Sequence, residues 1–297
     1  LTYKLINCKI KLAYANNKER DENMADCNNC PSRNNCSSQN TCTIKNNPYN
    51  NVKNIIGVMS GKGGVGKSTV SSLIAKELKD KGYKVGILDA DITGPSIPRL
   101  LQIDKKRAAA NDKGIIPVET EDGIKVISLN LLMEDEDKPV IWRGPIISGI
   151  VQQFWTDVIW GELDYLIIDM PPGTGDVALT VMQSIPITGL VIVSVPQDMV
   201  SMIVAKAINM AKRLNIPVLG VVENMSYVMC PDCDKKIRIF DGENTSSFLE
   251  EYNLNLLGEL PMVKDIADLA KEGSKNLNKE VKDTFAEIAN KIITQAN

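Results

Sequence analysis

Short apolar runs that alternate with longer stretches of helical period predict an α/β protein, a mostly parallel sheet flanked by helices. Three observations carry that reading. From Val52 onward the runs are five to seven residues long and rich in Val and Ile, as strands buried on both faces are. The segments between most of them are long enough for the crossovers that parallel pairing demands. The first run also passes into a glycine-rich turn that opens a helix, GVMSGKGGVGKST from Gly57 to Thr69.

In chain order the strands are expected at 54–59 (NIIGVM), 84–88 (KVGIL), 124–129 (IKVISL), 164–169 (DYLIID), 189–195 (GLVIVSV) and 217–222 (PVLGVV). Helices are expected at 67–81, 145–159, 176–185, 198–214, 245–252, 263–272 and 279–294. In the last of these, Val281, Phe285, Ile288, Ala289 and Ile292 mark one face. Acids and lysines flank that face, so packing on the sheet accounts for it better than a membrane surface does. Residues 24–50 are polar and rich in Asn, Ser and Cys, and cannot build a core without a bound ion. The chain is therefore expected to divide into three parts. Residues 1–23 are a disordered extension or an upstream artefact, with Met24 as the natural start. Residues 24–50 form a Cys-rich metal- or cluster-binding segment, and residues 51–297 the α/β domain.

At 297 residues and 43% hydrophobic content the chain can bury a full core. A formal net charge of -3 argues against nucleic acid as a partner held by diffuse positive charge. No run approaches the roughly 18–20 apolar residues of a membrane span, and Lys4, Asn7, Lys9 and Lys11 break any signal-peptide pattern at the start. The expectation is a cytoplasmic protein with neither nucleic acid nor membrane as partner. Its seven cysteines are then read under reducing conditions, as metal ligands or redox groups. The chain has no histidine, so imidazole is available neither as ligand nor as base.

The Gly57–Thr69 stretch follows a strand and opens a helix, the context that a P-loop requires. Gly61, Gly63, Gly64 and Gly66 let the backbone turn its N–H groups around phosphate oxygens, with Val65 and Thr69 completing the cradle. Lys67 reaches the β and γ phosphates and Ser68 ligates Mg²⁺. The additional Lys62 makes this a deviant Walker motif that resembles the dimeric P-loop ATPases of the MinD, ParA and nitrogenase iron-protein class. That resemblance implies that Lys62 reaches across a homodimer to the partner's phosphates. For Lys62 taken alone, a solvated loop lysine is the plain alternative.

LDADITGPSIP places Asp89 and Asp91 at the C-terminal end of the second strand, where open α/β sheets bind ligands. The resemblance makes this switch I, with Asp91 orienting the attacking water and Asp89 supporting it near Mg²⁺ or simply capping a turn. YLIIDMPPGTGD ends a strand in Asp169, the Walker B carboxylate that holds the Mg²⁺ shell, and puts Gly175 and Asp176 in switch II. The guanine-specifying Asn-Lys-x-Asp stretch is missing where the base should lie. VVENMS instead carries Asn224, which the resemblance implies contacts the adenine of ATP.

Cys230 and Cys233 follow Asn224 closely in VMCPDC. With GKGGVGKST, LDADITGPSIP, WRGP, IIDMPPGTGD, VPQD, ENMSYVMCPDC and GELP, residues 52–275 resemble the Mrp/ApbC family of iron–sulfur cluster carrier ATPases. Asp234 and IFDGEN depart from the glycines typical there. Two thiols cannot fill a four-coordinate site. In a two-fold dimer each protomer would supply two, and the resemblance assigns the resulting bridge to a [4Fe-4S] cluster. Zinc remains a competitor, since thiolates bind both. Cys27, Cys30, Cys36 and Cys42 suffice for one further cluster or zinc site, and their Cys-x₂-Cys-x₅-Cys part resembles the N-terminal motif of eukaryotic cytosolic scaffold relatives. No independent chemical role is read for Arg143 of WRGP.

The function so implied is a slow ATPase that carries a cluster at a dimer bridge to apo iron–sulfur proteins. The alternative is a MinD/ParA-type spatial-organising switch with structural zinc.

Overall fold

A computed structural model describes residues 44, 46–133, 144–199, 202–230, 232–233, 235–238, 243–269 and 277–296. The strands in chain order are β1 (Asn51–Ser60), β2 (Val85–Asp89), β3 (Ala109–Ala110), β4 (Ile115–Ile116), β5 (Val118–Glu119), β6 (Lys125–Ile127), β7 (Glu162–Asp169), β8 (Gly189–Ser194), β9 (Val218–Met229), β10 (Lys236–Ile237) and β11 (Leu256–Pro261). The helices are α1 (Lys67–Asp80), α2 (Ile97–Leu100), α3 (Gly144–Thr156), α4 (Asp176–Ser184), α5 (Pro196–Met199), α6 (Met202–Arg213), α7 (Glu243–Tyr252), α8 (Lys264–Ala267) and α9 (Lys279–Ala296).

The main sheet runs β10-β9-β8-β1-β7-β2-β6-β5, and β11 also pairs with β9. All its pairings are parallel except β5 on β6 and β10 on β9, and β3 and β4 form a separate antiparallel pair. β2 and β8 are buried along their whole length and β1 from Ile55 to Ser60, which is why these segments read as unbroken apolar runs. Register then fixes the chemistry. Asp169 of β7 stands opposite Val58 of β1 on one side and Asp89 of β2 on the other. Ser60, Asp89 and Asp169 therefore converge on the C-terminal edge of the sheet, where a ligand crevice is expected.

The expected strands and helices are present with shifted ends. The strand expected at 124–129 stops at Ile127 and passes into a 3₁₀ turn, Leu129–Leu131. That expected at 217–222 continues to Met229 because β11 and β10 supply partners beyond β8. The helix expected at 198–214 is described as α5 and α6, and only Lys264–Ala267 of that expected at 263–272 lies in a described helix of any length. β11 has no counterpart in the apolar pattern. Its sequence LLGELP is interrupted by Gly258, where a Cβ would come within 2.8 Å of Ile288 on α9. The glycine lets the final helix lie close on the sheet, so the residue that hides the strand in sequence is the one that seats the helix. Val281, Phe285, Ile288, Ala289 and Ile292 are all buried, as the helical spacing implies.

Ile44 ties the start of the described chain to the domain. Its N–H donates to Ser184 O at 2.9 Å, and Trp155 Nε1 donates to Ile44 O at 3.0 Å.

Candidate functional site

Between β1 and α1 the backbone turns through left-handed conformations at Gly64 (φ 81°) and Gly66 (φ 83°), which an L side chain rarely adopts. A Cβ at Gly63 or Gly64 would meet nothing within 4 Å, so these residues border open space, whereas one at Gly66 would run into Asn224 Nδ2. Lys62, Gly63 and Gly64 are exposed at the loop tip and Lys67 is buried. Ser60 Oγ donates to Lys62 O at 2.8 Å and Gly173 N to Ser60 O at 2.8 Å, which fastens the turn after β7 to the loop. Gly66 O accepts from Val70 N at 3.0 Å, starting the α1 ladder.

Asp169 is the hub of the charged groups. Its Oδ1 lies 2.8 Å from Lys67 Nζ and accepts from Ser71 Oγ at 2.7 Å, and its Oδ2 accepts from Ser68 Oγ at 2.5 Å. Lys67 Nζ also stands 3.7 Å from Asp91 Oδ2. Asp89 is wholly buried, accepting from Ser128 Oγ at 3.0 Å and from Asp91 N at 3.2 Å. Burial first, and then the neighbouring Asp169, push its carboxyl up to about 8, with Lys67 opposing. The Asp169 carboxylate and the Ser68 hydroxyl form a hard oxygen pair beside the buried Lys67 ammonium. It fits a divalent cation such as Mg²⁺, and the open glycine turn above fits a polyphosphate.

β9 joins this crevice to the cysteines. Asn224 Nδ2 donates to Val65 O at 2.9 Å, while its Oδ1 is buried without a hydrogen-bond partner among the described residues. Beyond it the chain turns at Cys230, whose N–H donates to Lys235 O at 3.0 Å. Cys230 is half-buried and Cys233 exposed. Hydrogen bonding from the Asp232 backbone and then from the Cys233 thiol draws Cys230 below the usual thiol range. Among the described residues no three Cys, Asp or Glu converge as a metal site, so this pair offers half of a thiolate set.

The structure thus gathers Lys67, Ser68, Asp89, Asp91 and Asp169 in one crevice and leaves Lys62 at its mouth. Cys230 and Cys233 lie just beyond the end of β9. Cys27, Cys30, Cys36, Cys42 and Arg143 lie outside the described residues. Ser71 and Ser128 were not foreseen. Ser71 sits one helical turn after Ser68 and was legible from that spacing. Ser128 reaches Asp89 only because β6 pairs with β2, which no local pattern announces.

Residues 51–296 match the ParA family of NUBPL-type iron-transfer P-loop NTPases. The chain belongs to that family. The iron–sulfur cluster carrier protein of Clostridium perfringens is 57% identical over 232 residues, 76% of this chain and 81% of its own. That of Methanocaldococcus jannaschii is 47% identical over 236 residues, 79% and 81% of the two chains. Among solved structures, a nucleotide-binding protein of Archaeoglobus fulgidus in complex with ADP superposes with TM-score 0.67 at 44% identity, covering 75% of this chain and 87% of its own. The cell division ATPase MinD of Pyrococcus furiosus superposes with TM-score 0.56 at 20% identity over 82% and 99%, a likeness of fold alone. The carrier resemblance carried by GKGGVGKST, IIDMPPGTGD and ENMSYVMCPDC is borne out, and this P-loop NTPase has the MinD-like sheet that Lys62 implied.

Proposed function

We propose that this P-loop ATPase is an iron–sulfur carrier that holds a [4Fe-4S] cluster between Cys230 and Cys233 of two copies and passes it to apo-proteins. The observation that carries the reading is that one strand, β9, bears Asn224, bonded to the P-loop at Val65, and leads directly into the turn that holds the half-set of thiols, Cys230 half-buried and Cys233 exposed. A half-set is completed by a second copy related by a two-fold axis, and a bridge exposed at a dimer face can be handed on.

In the nucleotide site Lys67 exchanges Asp169 for the β and γ phosphates, which the N–H groups of residues 61–69 surround. Ser68 and Asp169, with Asp89 behind them, hold Mg²⁺, which when bound neutralises phosphate charge. Asp91 orients the attacking water, and Lys62 reaches the partner's phosphates. Asn224 Oδ1, an acceptor without a partner among the described residues, suits the amino group of adenine and not the carbonyl oxygen of guanine. Residues 24–50, with Cys27, Cys30, Cys36 and Cys42, supply a second cluster or a zinc site beside the ATPase domain of residues 51–297, and the carrier works in the cytoplasm.

The test is anaerobic purification with iron, sulfide and zinc analysis, comparing the native chain with Cys230→Ala/Cys233→Ala. Loss of about four iron and four sulfide per dimer in the variant is expected. Stoichiometric zinc with no reconstitutable cluster would leave a zinc-stabilised ATPase switch instead.

A further inference from the structure

β9 pairs with β8 only as far as Glu223, opposite Ser194. Beyond that point its partners are β11 and β10, and the register on β11 slips. Glu223 faces Glu259 and Tyr227 faces Pro261, so Asn224, Met225 and Ser226 stand opposite Leu260 alone. The surplus forms a bulge, and Met225 within it has a φ of 56°, a left-handed conformation costly for a side chain of its size. Bulges re-aim side chains, and this one aims Asn224 at the P-loop while the strand continues toward Cys230.

One side chain spans it. Arg238, one residue after β10, places Nη2 2.9 Å from both carboxylate oxygens of Glu259, and its Nη1 donates to Ser226 Oγ at 3.3 Å. Glu223, at the start of the bulge, is buried, and its Oε1 has no hydrogen-bond partner among the described residues. The guanidinium is half exposed, so its contribution to net stability is small, but its fork fixes geometry. A separate contact holds the turn to α9. Tyr227 Oη donates to Glu280 Oε1 at 2.8 Å, and Lys236 Nζ lies 3.2 Å from the same oxygen and 4.2 Å from the Tyr227 ring centroid.

We propose that Arg238 is a positioning residue which, by holding Ser226 and Glu259 across the bulge, couples occupancy of the nucleotide site to the geometry of the Cys230–Cys233 turn. The cargo of that turn rests on the carrier reading, but the coupling does not. Nucleotide in the P-loop restrains Val65 and, through it, Asn224. The bulge is then held at both ends, by the loop and by Arg238, and the turn beyond it loses freedom. Without Arg238 the bulge absorbs the restraint and the turn is unaffected.

The experiment uses the full-length, reduced, metal-free chain and measures the rate at which iodoacetamide alkylates Cys230, resolved by peptide mass, with and without ADP and Mg²⁺. In the native chain nucleotide slows the reaction about fivefold, the lower end of ordinary coupling between sites. In Arg238→Gln and in Glu259→Gln the two rates are equal, while ADP affinity by calorimetry stays within about twofold of native, well short of a full coupling factor. Arg238→Lys retains part of the response. A native-sized nucleotide effect in Arg238→Gln, or no slowing in the native chain, overturns the proposal. If Arg238→Gln does not fold, Glu259→Gln decides the matter by the same criterion. A native chain that shows the coupling yet takes up no iron and sulfide refutes the carrier reading and leaves this one standing.

Discussion

Asn224 fills the space that a side chain at Gly66 would need, and its amide donates to Val65 O, so the P-loop is shaped from beneath by β9 as well as by its own glycines. Gly66→Ala meets both the clash and a left-handed backbone, a strain on the order of 1–3 kcal/mol. ADP affinity is expected to fall about 10- to 100-fold by that strain, with circular dichroism unchanged. Calorimetry giving native affinity would mean that the turn relaxes freely. The neighbouring Glu223 makes a second residue-scale prediction. Burial and then Glu259 raise its carboxyl, against the pull of Arg238 and the Ser226 hydroxyl. The folded chain therefore holds this proton more tightly than the unfolded chain. The stability it contributes is complete below the ordinary Glu range and is lost as pH rises through the raised value. Glu223→Gln should gain thermal stability relative to native at pH 8 and not at pH 4. Parallel melting profiles across that range would refute this.

The last helix shows what one element adds. α9 buries Val281, Phe285, Ile288, Ala289 and Ile292 against the sheet, and Ile288 lies over the glycine of β11. Its first turn carries Glu280, the residue that receives Tyr227 and Lys236 from the two strands flanking the cysteine turn. One helix thus seals the core and seats the turn. Ile288→Ala should lower the free energy of unfolding by about 2–5 kcal/mol in urea titration. A loss under about 1 kcal/mol, below the range for a buried aliphatic side chain, would mean that α9 contributes little to the cooperative core.

For the molecule as a whole, Lys62 is the telling residue, exposed at the mouth of a crevice whose other charged groups are already gathered within one chain. If it acts across a dimer, Lys62→Ala should bind ADP normally and lose about a hundredfold or more in ATP turnover, the scale of removing one donor from developing charge. Steady-state kinetics alongside light scattering checks this. Native turnover in the variant would return Lys62 to an ordinary solvated lysine.

The sequence by itself determined the α/β class and the P-loop with its strand and helix. It also determined that Asp89 and Asp169 end strands beside that loop, with Asp91 just past the first of them, because buried strands and phosphate turns are written locally, in apolar runs and glycine spacing. Only the tertiary structure decided that Ser128 supports Asp89, that β11 exists as a strand, and that Asn224 braces the P-loop from below. It alone set Arg238 across a bulge between the nucleotide crevice and the thiols. Those contacts join residues far apart in the chain through sheet order and register. Register is settled by the packing of whole faces, which no short stretch of sequence contains.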